Sequence, residues 1–200
     1  MDLIQEIDSL DKEIVWVVNN NQTEFMDYVM VFFSHKWMPI PIYLLLLYLL
    51  YKQLGWKKTL FYILPSIALV IALSDITASK IFKPYFERLR PCHEMPNLHL
   101  VTKCGGQFGF FSSHAANSFG VATLIFLLLR KKQKHIGLLL FLWAIPVSFS
   151  RVYLAVHYPS DIFAGMLCGL FFGTIIFMIV SKVMETKFNL HAKKTKANTY

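Results

Sequence analysis

Residues 150–161 read "SRVYLAVHYPSD" and place an arginine, a histidine and an aspartate between two long apolar runs. Charged groups beside hydrocarbon are costly, so such positions point to function. Two further polar clusters stand at the edges of apolar runs: "KPYFERLRP", with Lys83, Arg90 and Pro91, and "FFSSHAANS", with Ser112, Ser113 and His114. Taken singly, each has a structural reading. Lys83 and Arg90 reach for lipid headgroups, and Ser112 or Asp161 caps a helix. Taken together, they form a set suited to phosphoryl transfer. Arg90, Arg151 and Lys83 supply the fork and point charges that hold phosphate oxygens. A serine at a helix N-terminus adds a hydroxyl and free backbone N–H groups. Two histidines remain, one to attack phosphorus and one to protonate the departing oxygen. Asp161 follows His157 by four residues, within reach of a ring nitrogen that it can orient.

The elements that must position these residues are membrane helices. Of the 200 residues, 56% are apolar and 16% charged, against roughly 45–50% and about 25% in an ordinary soluble domain. The chain also holds 18 Phe, nine Tyr and four Trp. Five spans are expected: one within 28–51, then about 59–82, 113–129, 135–153 and 161–183. His35 and Lys36 interrupt the first, so residues 25–35 are read alternatively as a separate, partly embedded helix. Leu3, Ile4, Ile7, Leu10 and Ile14 fall at helical spacing opposite Asp2, Glu6, Asp8, Asp11 and Glu13. Residues 1–24 therefore form an amphipathic helix, lying on the membrane or packed on the protein's own outer part. They lack the basic start and unbroken apolar core of a signal peptide. The fold class expected is all-α: a polytopic membrane helical bundle, one domain over 1–200.

The net charge of +8 is dispersed through short loops, which argues for topology and against nucleic-acid binding. Lys52, Lys57 and Lys58, then Arg130, Lys131, Lys132 and Lys134, then Lys182, Lys187, Lys193, Lys194 and Lys196 all fall on one face of a five-span bundle. The positive-inside rule makes that face, with the basic tail 183–200, cytoplasmic. The N-terminus, the 83–112 loop and the 150–161 stretch share the outer face. Seven acidic residues and one lysine precede Tyr28, in agreement.

Lys83 and Arg90-Pro91 give K-x6-R-P, "FSSH" at 111–114 stands where P-S-G-H is usual, and Ser150-Arg151, His157 and Asp161 give S-R-x5-H-x3-D. In order, spacing and location this set resembles the type 2 phosphatidic acid phosphatase superfamily of membrane lipid phosphatases. The resemblance implies that His157 is the nucleophile, forming a phosphohistidine, with Asp161 orienting it. His114 then protonates the leaving group and later activates water. Lys83, Arg90, Ser112, the backbone at Ser113, and Arg151 bind the phosphoryl group. It also implies no metal and no cofactor, a lipid phosphate or diphosphate as substrate, and a bacterial cytoplasmic membrane with the site facing outward. Undecaprenyl diphosphate, hydrolysed to the monophosphate plus phosphate, is the first substrate expected. Phosphatidate, phosphatidylglycerophosphate or lipid A phosphatases would use the same residues. Phe111 and Ser113 depart from the usual proline and glycine, and Phe111 leaves the approach to its helix less rigid.

A non-enzymatic transporter is the alternative of another class. The charged clusters all lie near one interface and no inverted repeat is visible, both against it. Gly165, Gly169 and Gly173 recur every four residues, the spacing of close helix packing within the monomer or at a dimer seam. Asp75 lies within the second span, with Lys80 or a site arginine as its expected partner. Cys92 and Cys104 are expected to pair on an oxidising face. His93 and His99 nearby raise zinc, though in no common spacing.

Overall fold

The computed structural model describes residues 3–35, 37, 39–130 and 134–197. Asp2, Lys36, Lys131, Lys132 and the side chains of Lys134, Lys193, Lys194 and Lys196, on which part of the charge reading rests, lie outside the described residues. The fold is a helical bundle: α1 (Leu3–Asn20), α2 (Glu24–Ser34), α3 (Pro39–Leu54), α4 (Trp56–Phe86), the single turn α5 (Pro91–Glu94), α6 (Ser113–Leu129), α7 (Lys134–Tyr153) and α8 (Pro159–Ala197).

Three of these, α4, α7 and α8, have the length and composition to cross a membrane, and α3 and α6 are shorter apolar helices. The first expected span is divided. Thr23 caps α2 by accepting from the Met26 N–H at 3.3 Å, and the chain leaves the helix at His35. The alternative reading of 25–35 as a helix of its own therefore holds. α3 ends at Gly55, whose φ of 82° suits a residue without Cβ. The second span is longer than expected and carries two π-type turns, Thr59–Ile63 and Thr77–Phe82. They re-aim the end of the helix that bears Lys83.

Lys58, Leu54, Arg130, Phe177 and Met184 line one groove, so the 51–58 corner, the end of α6 and the far half of α8 converge at one end of the bundle. Residues 83–114 and 150–161 occupy the other end. Between them lies an apolar core built from Leu46, Leu50, Ile63, Val70, Leu124, Ile125, Leu140 and Ile176.

In lipid, burying a leucine gains little, so helices associate through close contact between small residues. α6 packs against both α7 and α8. The glycines of α8 face α6 within the same chain: a Cβ on Gly165, Gly169 or Gly173 would run into the carbonyl oxygens of Ser112, Ala116 and Gly120 respectively. This stripe fixes the distance between the N-termini of α6 and α8, where Ser112 and Asp161 stand.

α1 combines both readings of its amphipathic pattern. Leu3, Ile4, Ile7, Leu10 and Ile14 are exposed, while Asp11, Val15 and Asn19 are buried against the protein. The stripe through Asp11, Val15 and Asn19 is docked, Glu6 and Glu13 remain exposed, and most of the apolar face is turned outward.

Gly169→Ala is expected to destabilise the bundle by about 1–3 kcal/mol through overpacking. Gly106→Ala, where a Cβ meets nothing within 4 Å, is expected to leave it unchanged. Thermal unfolding of both variants in detergent checks this; equal midpoints would mean that α6 and α8 do not pack at backbone contact.

Candidate active site

His157 sits in the turn between α7 and α8. α7 ends where the Arg151 carbonyl accepts from the N–H groups of both Val156 and His157, each at 3.1 Å, and Ala155 takes a positive φ of 54°. Pro159 then opens α8 at a position where its missing N–H costs nothing. One turn into that helix the Asp161 carboxylate folds back. Its Oδ2 accepts from the Tyr158 N–H at 3.0 Å and lies 3.3 Å from His157 Nδ1. One oxygen of Asp161 thus lies against both the backbone N–H at the start of α8 and the His157 ring. An Nδ1–H directed at Asp161 leaves the lone pair on Nε2.

His157 is 2% exposed and Asp161 fully buried. Burial, and then the charges of Arg90, Arg151 and Lys83, hold the His157 imidazole well below its usual pKa, so it is neutral at physiological pH. Those three cations come from different elements: Lys83 from the end of α4, Arg90 from the following loop, Arg151 from the last turn of α7. Arg90 Nε and Nη1 donate to the carbonyls of Phe108 and Cys104, both at 3.3 Å. Arg151 Nη1 donates to Ser34 Oγ of α2, while its Nε is buried with no partner among the described residues.

Ser112 is at the N-cap position of α6, yet its hydroxyl makes no capping bond. The side chain is fully buried and its Oγ has no hydrogen-bond partner among the described residues. Its backbone N–H donates to the Asp161 carbonyl at 3.1 Å, tying α6 to α8. Capping alone therefore does not account for Ser112. Ser113 and His114 form the first turn of α6, and the charges of Arg151, Lys83 and Arg90 reach His114 as they reach His157. All eight residues singled out in the sequence thus gather at one end of the bundle.

Phe111 changes one expectation. Its ring is buried and meets Phe82 at 4.9 Å between centroids, with Ala78 and Ala116 around it. Packing fixes this approach to α6 without a proline ring.

Several residues escaped the sequence reading. Gly109 presses against the His157–Asp161 pair, since a Cβ there would lie 3.0 Å from Asp161 Oδ2. Arg88 joins Asp161 Oδ1 at 3.0 Å through Nη1, and Asp11 at 2.8 Å and Asp8 at 3.2 Å through Nη2. Its guanidinium also lies over the Tyr158 ring, 4.3 Å from the centroid. Asp11 Oδ1 accepts from the Ser160 N–H at 2.9 Å, and its Oδ2 from the Ser160 hydroxyl. The docked face of α1 is therefore wired to the back of the His157–Asp161 pair. The available signal was Arg88 itself, a third arginine-class charge inside K-x6-R-P, and an acidic face too rich for one lysine.

Cys92 and Cys104 are disulfide-bonded, with a Cα–Cα distance of 5.9 Å. With those sulfurs joined to each other, the Cys92–His93–Cys104 group does not offer two thiolates to zinc. The Cys92 N–H donates to Ala155 O at 3.0 Å, so the bridged loop holds both Arg90 and the His157 turn. Among the described residues Asp75 forms no ion pair with Lys80 or an arginine: its Oδ1 accepts from Asn117 Nδ2 at 3.0 Å.

Comparison with known proteins agrees with this geometry. The chain is 37% identical over 186 residues to the lipid A 4′-phosphatase of Bacteroides thetaiotaomicron, covering 90% of this chain and 81% of that one. It is 29% identical over 163 residues to the undecaprenyl-diphosphatase of Sulfolobus acidocaldarius, covering 78% and 72%. The crystal structure of Aquifex aeolicus LpxE superposes with a TM-score of 0.65 at 25% identity, covering 83% of this chain and 93% of that one. Residues 59–185, well over half of the chain and every one of the eight site positions, match a single family, and this multi-pass membrane protein belongs to the PAP2 superfamily.

Proposed function

We propose that this membrane lipid phosphatase removes a phosphate ester from the sugar of a lipid A-type glycolipid. The observation that carries the phosphatase chemistry is the set of buried Arg90, half-buried Arg151 and Lys83, and the unpartnered Ser112 hydroxyl near the His157–Asp161 pair. What favours lipid A over undecaprenyl diphosphate, the first expectation from sequence, is the higher identity to the lipid A 4′-phosphatase. The diphosphatase relative keeps the other substrate as the second reading.

In this mechanism Lys83, Arg90, Arg151, Ser112 and the Ser113 backbone hold the three equatorial oxygens. His157 Nε2 attacks phosphorus while the bond to the sugar oxygen breaks, and His114 delivers a proton to that oxygen. Asp161 stabilises the charge that develops on the His157 ring. His114 then takes a proton from water as the water oxygen attacks the phosphohistidine, freeing phosphate and restoring both rings. The protein supplies its own positive charge, so no metal has a part. We place the site on the outer face of a bacterial cytoplasmic membrane, with the disulfide beside it, the basic corner and C-terminus opposite in the cytoplasm, and 1–200 as one domain.

Purified protein in detergent with chelator is expected to release phosphate from lipid A. His157→Ala should abolish that release, and Asp161→Asn should lower kcat by about a thousandfold or more, as loss of an orienting carboxylate does elsewhere. Release that needs a divalent ion, or that survives in His157→Ala, would overturn the mechanism.

The depressed His157 pKa has a definite sign. The ring stays neutral, and able to attack, to lower pH than an ordinary histidine. An NMR titration of the free enzyme, with the signal assigned by its loss in His157→Ala, is expected to give a midpoint below about 6.5; a higher midpoint would contradict the burial and the three nearby cations.

Asp11 should act on the reaction through Arg88 and Ser160. Asp11→Ala removes charge-assisted bonds worth about 1.5–3 kcal/mol, equivalent to roughly a ten- to hundredfold ceiling on the loss. The loss is expected in kcat with KM little changed, and steady-state kinetics read the split. A change confined to KM would assign α1 to substrate capture instead.

A further inference from the structure

Beside His114 the helices leave a cavity of about 280 Å³, lined by Tyr43, Asp75, Ser113, His114, Asn117 and Trp143 among others. We propose that this cavity is the leaving-group site, and that Asp75 and Asn117 in it select a neutral polyhydroxylated ring over a second phosphate. The inference rests on the phosphatase reading above and names the group on the far side of the scissile bond.

In an in-line displacement the nucleophile and the departing oxygen lie on opposite sides of phosphorus. The acid that protonates that oxygen must face it, so the leaving group occupies whatever space His114 opens onto. That space is the Asp75–Asn117 cavity, which shares Ser113 and His114 with the phosphate site.

Its chemistry is selective. Asp75 comes from α4 and Asn117 from the second turn of α6, and they meet through Asn117 Nδ2 and Asp75 Oδ1 at 3.0 Å. That bond leaves Asn117 Oδ1 directed nowhere: it is buried with no hydrogen-bond partner among the described residues. An acceptor left so is costly unless a ligand brings a donor. A carboxylate and an amide oxygen together ask for O–H or N–H groups, which a sugar ring carries on several carbons. Trp143, Tyr43 and Phe33 supply flat apolar walls, against which the C–H faces of such a ring can lie.

A diphosphate substrate fits poorly. Its leaving group is itself a phosphate, an anion made of acceptors, and it would meet the Asp75 carboxylate, with Ser113, Ser118 and the His35 ring as the donors on the other walls. A like charge placed against the wrong partner is how sites reject a competitor. A simple alkyl ester would leave Asn117 Oδ1 unpaired, the kind of mismatch that costs a hydrogen-bonding site most.

The test compares kcat/KM for lipid A and for undecaprenyl diphosphate in wild type, Asp75→Asn and Asn117→Ala. Because both substrates are read on the same preparation, the ratio does not depend on how much of a variant is folded. Asp75→Asn removes the charge and is expected to move the ratio about tenfold or more toward the diphosphate. Asn117→Ala is expected to lower the glycolipid rate more than the diphosphate rate. A ratio unchanged in both variants, or shifted toward the glycolipid, overturns the inference and leaves the phosphatase reading standing. Wild-type protein that hydrolyses neither lipid overturns the lipid A reading, and this inference with it.

Discussion

Everything at the Lys83–His157 end of this bundle answers to one electrostatic constraint: three cations partly withdrawn from bulk water near a buried histidine. Removing such charges from water costs several kcal/mol each even after relaxation. The protein recovers part of this with backbone carbonyls on Arg90 and the Ser34 hydroxyl on Arg151. The recovery is incomplete, because Arg151 Nε and Ser112 Oγ remain without partners among the described residues. A donor array left open in this way is preorganised for an oxyanion, and it also keeps His157 neutral. In the proposed mechanism one arrangement thus serves binding and nucleophilicity together.

The fold supplies the rigidity that this array requires. Lys83 depends on the winding of α4, Arg90 on the disulfide-bonded loop, Ser112 on the glycine face of α8, and Arg151 on the last turn of α7 before its carbonyl caps the His157 turn. None of these supports is apolar burial of the kind that folds a soluble domain. They are small-residue contacts, a covalent bridge and backbone hydrogen bonds, the forces that remain effective where lipid is as apolar as leucine. α1 adds a fourth. Asp11 neutralises Arg88, which in turn neutralises one oxygen of Asp161, leaving the other oxygen for the imidazole and the Tyr158 N–H.

The parts of this arrangement that could be read from the chain were those whose meaning is local. His157 and Asp161 are four residues apart, so helical spacing carried their relation, while Lys83 and Arg90, seven apart, were linked by the family pattern K-x6-R-P. The same holds for Gly165, Gly169 and Gly173, whose period matches the helix. Asp11 and Ser160 are 149 positions apart and Asp11 and Arg88 are 77, and no period or motif links them; only the docking of α1 does. The acidic face of α1 was visible as amphipathicity, but a polar face on a surface helix is ordinarily solvated. Asp75 was visible as an acid in an apolar run, yet its partner Asn117 is a neutral residue that charge counting passes over. The break at His35 was marked in the sequence, and the separate helix it permits turns out to bring Ser34 to Arg151.

The same geometry explains how one family serves several lipids. The phosphate side of the site is built of backbone, arginine, lysine and serine directed at oxygens that every substrate shares. The leaving-group side begins at His114 and is formed by α4 and α6 residues outside the three motifs, Asp75 and Asn117 among them. Chemistry and selectivity therefore meet along one face of the first two turns of α6: Ser113 and Asn117 stand one turn apart and both line the cavity, Ser113 at its phosphate end and Asn117 toward whatever the phosphate is attached to.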